Sequence, residues 1–408
     1  MRGQSAHRLT TAHLQAAYPF VSEGGLGGRG AYIGRDLFGG AFVYDAFELY
    51  EQGHLTSPNM VVAGQLGRGK SALVKSFAMR QMTFGRRVVV MDPKGEYGEL
   101  ARACGSEPIR LAPGGRTRLN PLEKRISQDE QLRLLNAVAS AALDRSLLPH
   151  ERTALEQALA AAAKGAEATI PRVIKSLLEP TAAAAKKVST EEHVLKEWGR
   201  EVAFEFRRLV SGDLRGMFDG KTSASVDLDG PLVVLDLSAV YDSDALGILM
   251  TCASAWLQGL LTRDDGRKTI FILDEAWAIL ASLGIAKWLQ ASFKLSRARG
   301  LQNIAVMHRF SDLAATGAHG SQQERVARGL LSDTETKVVY AQTHGEVEAT
   351  KDLLGLTSTE AALLPQLERG VALWKVGERS FLVWHRLGPT EAALVDTDAR
   401  MIREVAPR

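Results

Sequence analysis

The sequence predicts an α/β fold with a mostly parallel central sheet, an inserted all-helical subdomain and a C-terminal β-hairpin. Three observations carry that expectation. Short, continuous apolar runs such as MVVAG, RRVVVMD, LVVLDL and TIFILDE read as strands buried on both faces, the pattern of a parallel sheet covered by helices. Between about Ser127 and Arg215 these runs vanish, and alanine and leucine dominate at helical spacing. Near the C-terminal end, VALWKV and SFLVWH flank Gly377-Glu378-Arg379, a short hairpin connection.

Residues 1–55 read as a leading segment or linker. Its glycine cluster EGGLGGRG is not followed by Lys-Ser or Lys-Thr, so a hairpin or loop is expected there. The start, MRGQSAHRLTTAHLQ, lacks the apolar core of a signal peptide. The sheet domain is expected over 56–124 and 216–408, with the helical subdomain at 125–215. MVVAG, then SALVKSFAMRQMTF at helical periodicity, then RRVVVMD and PIRLA begin a strand–helix–strand order. Within the subdomain, Ser127 with Glu130 three residues later is a capping-box signature, and TAAAAKK is open between loop and helix. After Gly216, ASVDL, LVVLDL, TIFILDE, NIAVM and TKVVYA are strand candidates, and the tail beyond Leu387 reads as helical and then frayed. The uncharged stretch Ala245 to Thr262 repeats a polar residue every three to four positions, which suits a buried helix packed on the sheet better than a membrane span.

Composition narrows the class. The chain has 408 residues, 45% hydrophobic and 24% charged, an ordinary globular balance that excludes global disorder and collagen-like repeats. A net charge of +3 neither demands nor forbids nucleic acid as a partner. Two distant cysteines, Cys104 and Cys252, suit a reducing compartment and exclude a disulfide or Cys-rich zinc framework. The nine histidines show no metal-ligand spacing, and there is no G-x-S-x-G elbow. A cytoplasmic protein, or one peripheral at the inner face of the cell membrane, is expected.

The strongest local signal is GQLGRGKS, which fits G-x-x-x-x-G-K-[ST] at every fixed position, after a buried strand and before a helix. Gly64, Gly67 and Gly69 let the backbone turn tightly and aim successive N–H groups at a polyphosphate. Lys70 supplies a cation for the β and γ phosphates, Ser71 a hydroxyl for Mg²⁺, and the helix its positive N-terminal end. The nucleotide-binding set is therefore Gly64, Gln65, Leu66, Gly67, Arg68, Gly69, Lys70, Ser71 and Ala72, with ATP and Mg²⁺ as the expected ligands.

Hydrolysis needs one carboxylate near the metal and another to activate water. Asp274 and Glu275 follow the TIFIL strand: Asp274 is assigned to the metal, with Ser71, and Glu275 to water polarisation. Asp236 ends another strand without a following acid and reads as structural. In MDPKGEY, Asp92 ends a strand beside the phosphate loop, and Glu96 stands between γ-phosphate contact and a plain turn carboxylate. After NIAVM, His308 is a candidate γ-phosphate sensor, with a capped surface histidine as the alternative. An arginine reaching the γ-phosphate from a neighbouring subunit would be drawn from Arg297, Arg299, Arg325 and Arg328, with Arg297 first.

Together these blocks resemble the ATPase family of conjugative type IV secretion systems, the TraC-like branch of the HerA/FtsK superfamily. The resemblance runs from about Thr10 to His385, through TAHLQAAYPF, AYIGRDLFGG, GQLGRGKS, MDPKGEYGEL, RLNPL, LRGMFDGKTS, VVLDLS, ILDEAW, SRARG and LERGVALWKVG. It implies a RecA-like motor with a helical insertion, assembling as a homo-hexamer that powers channel assembly or substrate transfer alongside secretion-channel or conjugation components. Lys70, Ser71, Asp274 and Glu275 fall on the family's nucleotide and metal positions, and Asp92 and Glu96 on its D-P-x-G-E-Y block, which is also similar to the HerA helicase version. Family members usually carry Gln where this sequence has His308, and typical relatives carry a large further domain before the motor, whereas this chain begins just ahead of it. Two other readings stay open: a HerA-like translocase or helicase acting on DNA, and a nucleotide-dependent assembly module with little hydrolysis.

Overall fold

The computed structural model describes residues 25–395 apart from 125, 144, 166, 225, 229, 242–245, 247, 251, 254, 255, 257–265, 277–289, 291, 292, 295 and 309–321. Its apolar runs form strands β1 (Ala31–Asp36), β2 (Ala41–Tyr44), β3 (Met60–Ala63), β4 (Arg87–Asp92), β5 (Ile109–Arg110), β6 (Leu232–Asp236), β7 (Thr269–Leu273), β8 (Leu301–Met307), β9 (Thr336–Val339), β10 (Val371–Val376) and β11 (Arg379–His385). They pair into one sheet in the order β2-β1-β11-β10-β9-β3-β8-β7-β4-β6-β5. From β9 to β5 every pairing is parallel, and β10, β11, β1 and β2 extend that block antiparallel. The expected mostly parallel sheet and terminal hairpin are both present. The turn between β10 and β11 is Gly377-Glu378, with Gly377 at φ 57°.

Alternate residues of each strand feed opposite faces of the sheet. Val61, Val89, Met91, Phe271 and Leu273 join one buried cluster with Leu135, Val138, Leu155, Val202 and Phe206 of the helical subdomain. Met60, Val62, Val88, Val90 and Ile272 join another with Leu73, Val74 and Phe77 of the helix Lys70–Met82. Both faces are thus covered, which explains why these strands read as unbroken apolar runs. The subdomain consists of helices Gln128–Ala142, Pro149–Ala162, Ile170–Leu178, Ala182–Lys187 and Glu192–Val210. Ser127 caps the first of these by accepting the Glu130 N–H, and TAAAAKK is helical, with the Thr181 hydroxyl accepting the Ala184 N–H.

Two segments differ from expectation. Residues 31–44, read as part of a leading segment, belong to the sheet as β1 and β2. Phe42 packs edge-on and Tyr44 tilted against Trp374, and Gly34 lies so close to β11 that a Cβ there would sit 2.0 Å from the Trp384 carbonyl oxygen. β11, which joins this hairpin to the sheet, is more than 300 residues away, so no local pattern reveals that placement. ASVDL is not a strand at its described positions: Val226 N–H closes a turn on Ser223 O, and the Ser223 hydroxyl accepts the Arg118 N–H.

The tail forms the helix Pro389–Val395, docked by Arg80, whose guanidinium donates to both Glu391 carboxylate oxygens at 2.6 and 2.7 Å. The stretch Ala245 to Thr262 lies partly outside the described residues; Leu249, Met250, Cys252, Ala253 and Trp256 within it are buried. Among the described residues no helix is long and apolar enough to cross a membrane.

Candidate functional site

Parallel strands bring their C-terminal ends to one edge of a sheet, where α/β proteins bind ligands. Here the register pairs Ala63 with Met307, Ala305 with Leu273, and Leu273 with Met91. Gly64, Asp274 and His308 are each the first residue beyond their strand, and Asp92 ends β4 beside them. Four segments distant in sequence therefore converge on a cavity of about 630 Å³. Its walls include Leu66, Gly67, Gly69, Lys70, Ser71 and Ala72 from the glycine loop, Lys94 and Glu96 beyond β4, Asp274 and Glu275 beyond β7, His308 beyond β8, and Arg369.

The glycine loop is shaped as a cradle. Gly64, Gly67 and Gly69 have φ of 148°, 71° and 112°, left-handed values that favour glycine. A Cβ on Gly64 would meet Tyr340 Cβ at 2.5 Å. The loop base is pinned to the end of β9, where Gln65 N–H donates to Ala341 O. The Arg68 side chain donates to Gln65 Oε1, and its carbonyl accepts the Gly370 N–H, tying the loop to the residue after Arg369. Leu66 stands exposed at the rim. Lys70 Nζ, held inside, donates to the carbonyls of Gly64 (2.5 Å) and Gln65 (2.8 Å). Burial lowers this ammonium to about 8 against the pull of Asp274 and Glu275.

Asp92 is a positioning residue. Its buried carboxylate accepts the N–H groups of Glu96 (3.1 Å) and Tyr97 (2.9 Å), closing the D-P-K-G-E turn that carries Lys94 and Glu96 to the cavity. Asp236 has a comparable local role, accepting the Ser238 N–H. Asp274 is buried and accepts the Glu275 N–H. Burial, then the neighbouring carboxylates of Glu275, Asp92 and Glu96, push it up to about 7. Glu275 has φ 54°, unusual for a residue with a side chain. Burial would raise its carboxyl too, but His308 and Lys94 donate to it and hold it down at about 2. His308 Nε2 lies 2.6 Å from Glu275 Oε1, and Lys94 Nζ forms an ion pair with the same oxygen. With Glu275 ionised, the hydrogen bond requires the proton on His308 Nε2.

The structure thus gathers the glycine loop, Lys70, Ser71, Ala72, Glu96, Asp274, Glu275 and His308 around one space. It does not bring Arg297 there. Arg297 lies in a turn ahead of β8, at the opposite edge of the sheet, with its guanidinium on Thr56 O. Arg299 is engaged with Glu130 at 2.7 Å, and Arg325 and Arg328 are exposed on the helix Gln322–Ser332. Sequence reasoning missed Lys94 and Arg369 as cavity residues; both stand inside blocks already singled out, MDPKGEY and LERGVALWKVG. Among the described residues no cluster of three His, Cys, Asp or Glu side chains forms a self-sufficient metal site. The donors that fit a magnesium ion are Ser71 and Asp274, the sparse protein set Mg²⁺ takes when phosphates and water complete its shell.

Comparison with known proteins agrees with this fold. Residues 51–205 match the family model of the AAA-like domain. Among solved structures, the chain is similar to VirB4 of Thermoanaerobacter pseudethanolicus, with 22% identity and a TM-score of 0.73 over 90% of this chain and 98% of that one. It is also similar to the bacterial conjugative coupling protein TrwB, unbound (17%, TM-score 0.54, covering 81% of this chain and 85% of that one) and in complex with ADP and Mg²⁺ (18%, 0.55, 81% and 86%). A search of curated proteins finds no match. The fold is that of the RecA-like P-loop ATPases, as the strand order and loop position require.

Proposed function

We propose that this chain is an ATP-hydrolysing, Mg²⁺-dependent motor of a conjugative or type IV-like secretion system. The observation that carries the reading is the convergence of Lys70 and Ser71 with Asp274 and Glu275 on one cavity at one sheet edge. The likeness to VirB4 and TrwB supports the biological setting.

In this reading the loop N–H groups and Lys70 hold the polyphosphate, and Ser71 and Asp274 hold the metal. A bound Mg²⁺ would neutralise charge on the phosphates and help orient the terminal one. Glu275 orients and polarises the attacking water, and Glu96 and His308 border the same space. Arg297, on the opposite edge, acts from a neighbouring subunit of a homo-hexameric ring. The motor works at the cytoplasmic face of the membrane with channel or conjugation components, and DNA is a candidate substrate.

The test is turnover. Lys70→Ala abolishes nucleotide binding and hydrolysis, and Glu275→Gln keeps binding but lowers turnover by about 10²–10⁴-fold. Both variants keep the wild-type circular dichroism spectrum. Unchanged hydrolysis in both would refute the reading. The D-P-K-G-E-Y block, similar to the HerA version, favours a DNA translocase as the second reading; steeply salt-dependent stimulation of turnover by duplex DNA distinguishes it.

A further inference from the structure

Lys70, Lys94 and Arg369 line the cavity, and the first two rest on oxygen partners within it. Lys70 rests on loop carbonyls. Lys94 rests on Glu275, the residue assigned to the attacking water, and touches His308 Nε2 at 3.0 Å. The two ammoniums are close enough for Lys94 to depress the Lys70 affinity for a proton. Their placement differs. Lys70 opens the helix after the glycine loop that follows β3, and Lys94 lies just beyond β4, with β8 and β7 between the two strands. Three interstrand spacings of about 4.8 Å put the strand ends roughly 14 Å apart. Both ammoniums line the same cavity as the glycine loop, with Lys94 on the side of Asp274 and Glu275.

The two partners also differ in freedom. The Glu275 carboxylate is buried and rises from a left-handed backbone, so it has little room to move. Lys94 is partly exposed, and its flexible stem is anchored in a turn that Asp92 closes. A carboxylate gripped by a lysine and a histidine is a poor acceptor for a water proton. Loosening that grip requires an alternative partner for Lys94, which leaves the His308 hydrogen bond in place.

We propose that Lys94 is a positioning residue that reads the γ-phosphate: it pairs with Glu275 when no triphosphate is bound and passes to the terminal phosphate of a bound nucleoside triphosphate, loosening the hold on Glu275 towards the attacking water. This rests on the motor reading above. It makes hydrolytic competence conditional on a triphosphate, since a diphosphate leaves Glu275 restrained.

A double-mutant cycle read by nucleotide affinity tests it, with ADP and a non-hydrolysable ATP analogue, each with Mg²⁺. Lys94→Met weakens the ATP analogue about tenfold, the scale of a hydrogen bond to a charged group, and leaves ADP unchanged. Glu275→Gln frees Lys94 and tightens the ATP analogue but not ADP, and this gain disappears in the Lys94→Met background. Lys94→Arg keeps most of the discrimination, which guards against a folding effect. Equal losses for both nucleotides, no loss for either, or an undiminished gain in the double variant overturns the proposal while leaving the motor reading intact. Failure of the wild-type protein to bind either nucleotide overturns both.

Discussion

Asp274 and Glu275 are adjacent, yet their environments drive them apart: one carboxyl rises to about 7 and the other falls to about 2. Asp274 is enclosed with other acids, whereas Glu275 receives two donors. The consequence for Asp274 is measurable in the empty protein. Its folded value lies above the ordinary 3.8, so the neutral form favours the folded state. That contribution is complete below about pH 4 and is lost as pH rises towards 7. Asp274→Asn, which keeps a neutral amide there, is expected to melt at higher temperature than the wild type at pH 8 without nucleotide. The gap narrows below pH 7 and closes near pH 4. A constant gap across this range would mean that Asp274 is ionised without nucleotide.

At the scale of elements, the helical subdomain is held by close backbone approach as well as by apolar side chains. Gly199, within Glu192–Val210, faces the two preceding long helices: a Cβ there would meet Leu177 Cδ2 at 2.7 Å and Ala154 Cβ at 3.4 Å. Gly199→Val should therefore overpack this contact and destabilise the protein by about 1–3 kcal/mol. The expected result is a lower midpoint in thermal or urea unfolding with unchanged affinity for ADP, because the glycine loop is built on β3, β9 and the helix Lys70–Met82. The subdomain and the loop were both legible in the sequence. Ser127 and Glu130 announce a helix start locally, and Gly64, Gly67 and Gly69 announce left-handed backbone locally. The β1–β2 hairpin was not legible, because Ile33, Phe42 and Tyr44 are buried by the helix Lys70–Met82 and by β10 and β11, which arrive more than 300 residues later.

For the whole molecule, the candidate residues divide between the two edges of the sheet. The candidate catalytic groups stand at the C-terminal edge of the parallel block, and Arg297 stands at the other, beside Thr56. If Arg297 serves a neighbour's site, two inactive variants should complement each other. Purified Arg297→Ala and Glu275→Gln each turn over slowly, but mixing them creates interfaces that pair an intact Glu275 with an intact Arg297. Recovery of hydrolysis on mixing is the expected outcome. No recovery, with both variants still assembling, would remove Arg297 from the catalytic interface.

The amino-acid order by itself determined the chemistry of single segments: a phosphate-type loop at Gly64–Ser71, an acidic pair at the end of a buried strand, a turn in DPKGEY, and a helical insertion. Each is written in neighbouring residues, where glycine conformation, hydrophobic period and capping act over a few positions. Only the tertiary structure decided which segments share a cavity. Lys94, Glu275 and His308 meet because β4, β7 and β8 lie side by side in parallel register, and Arg297 stays away because it precedes β8 instead of following it. Strand order is set by packing both faces of the whole sheet, so no single stretch of the chain contains it.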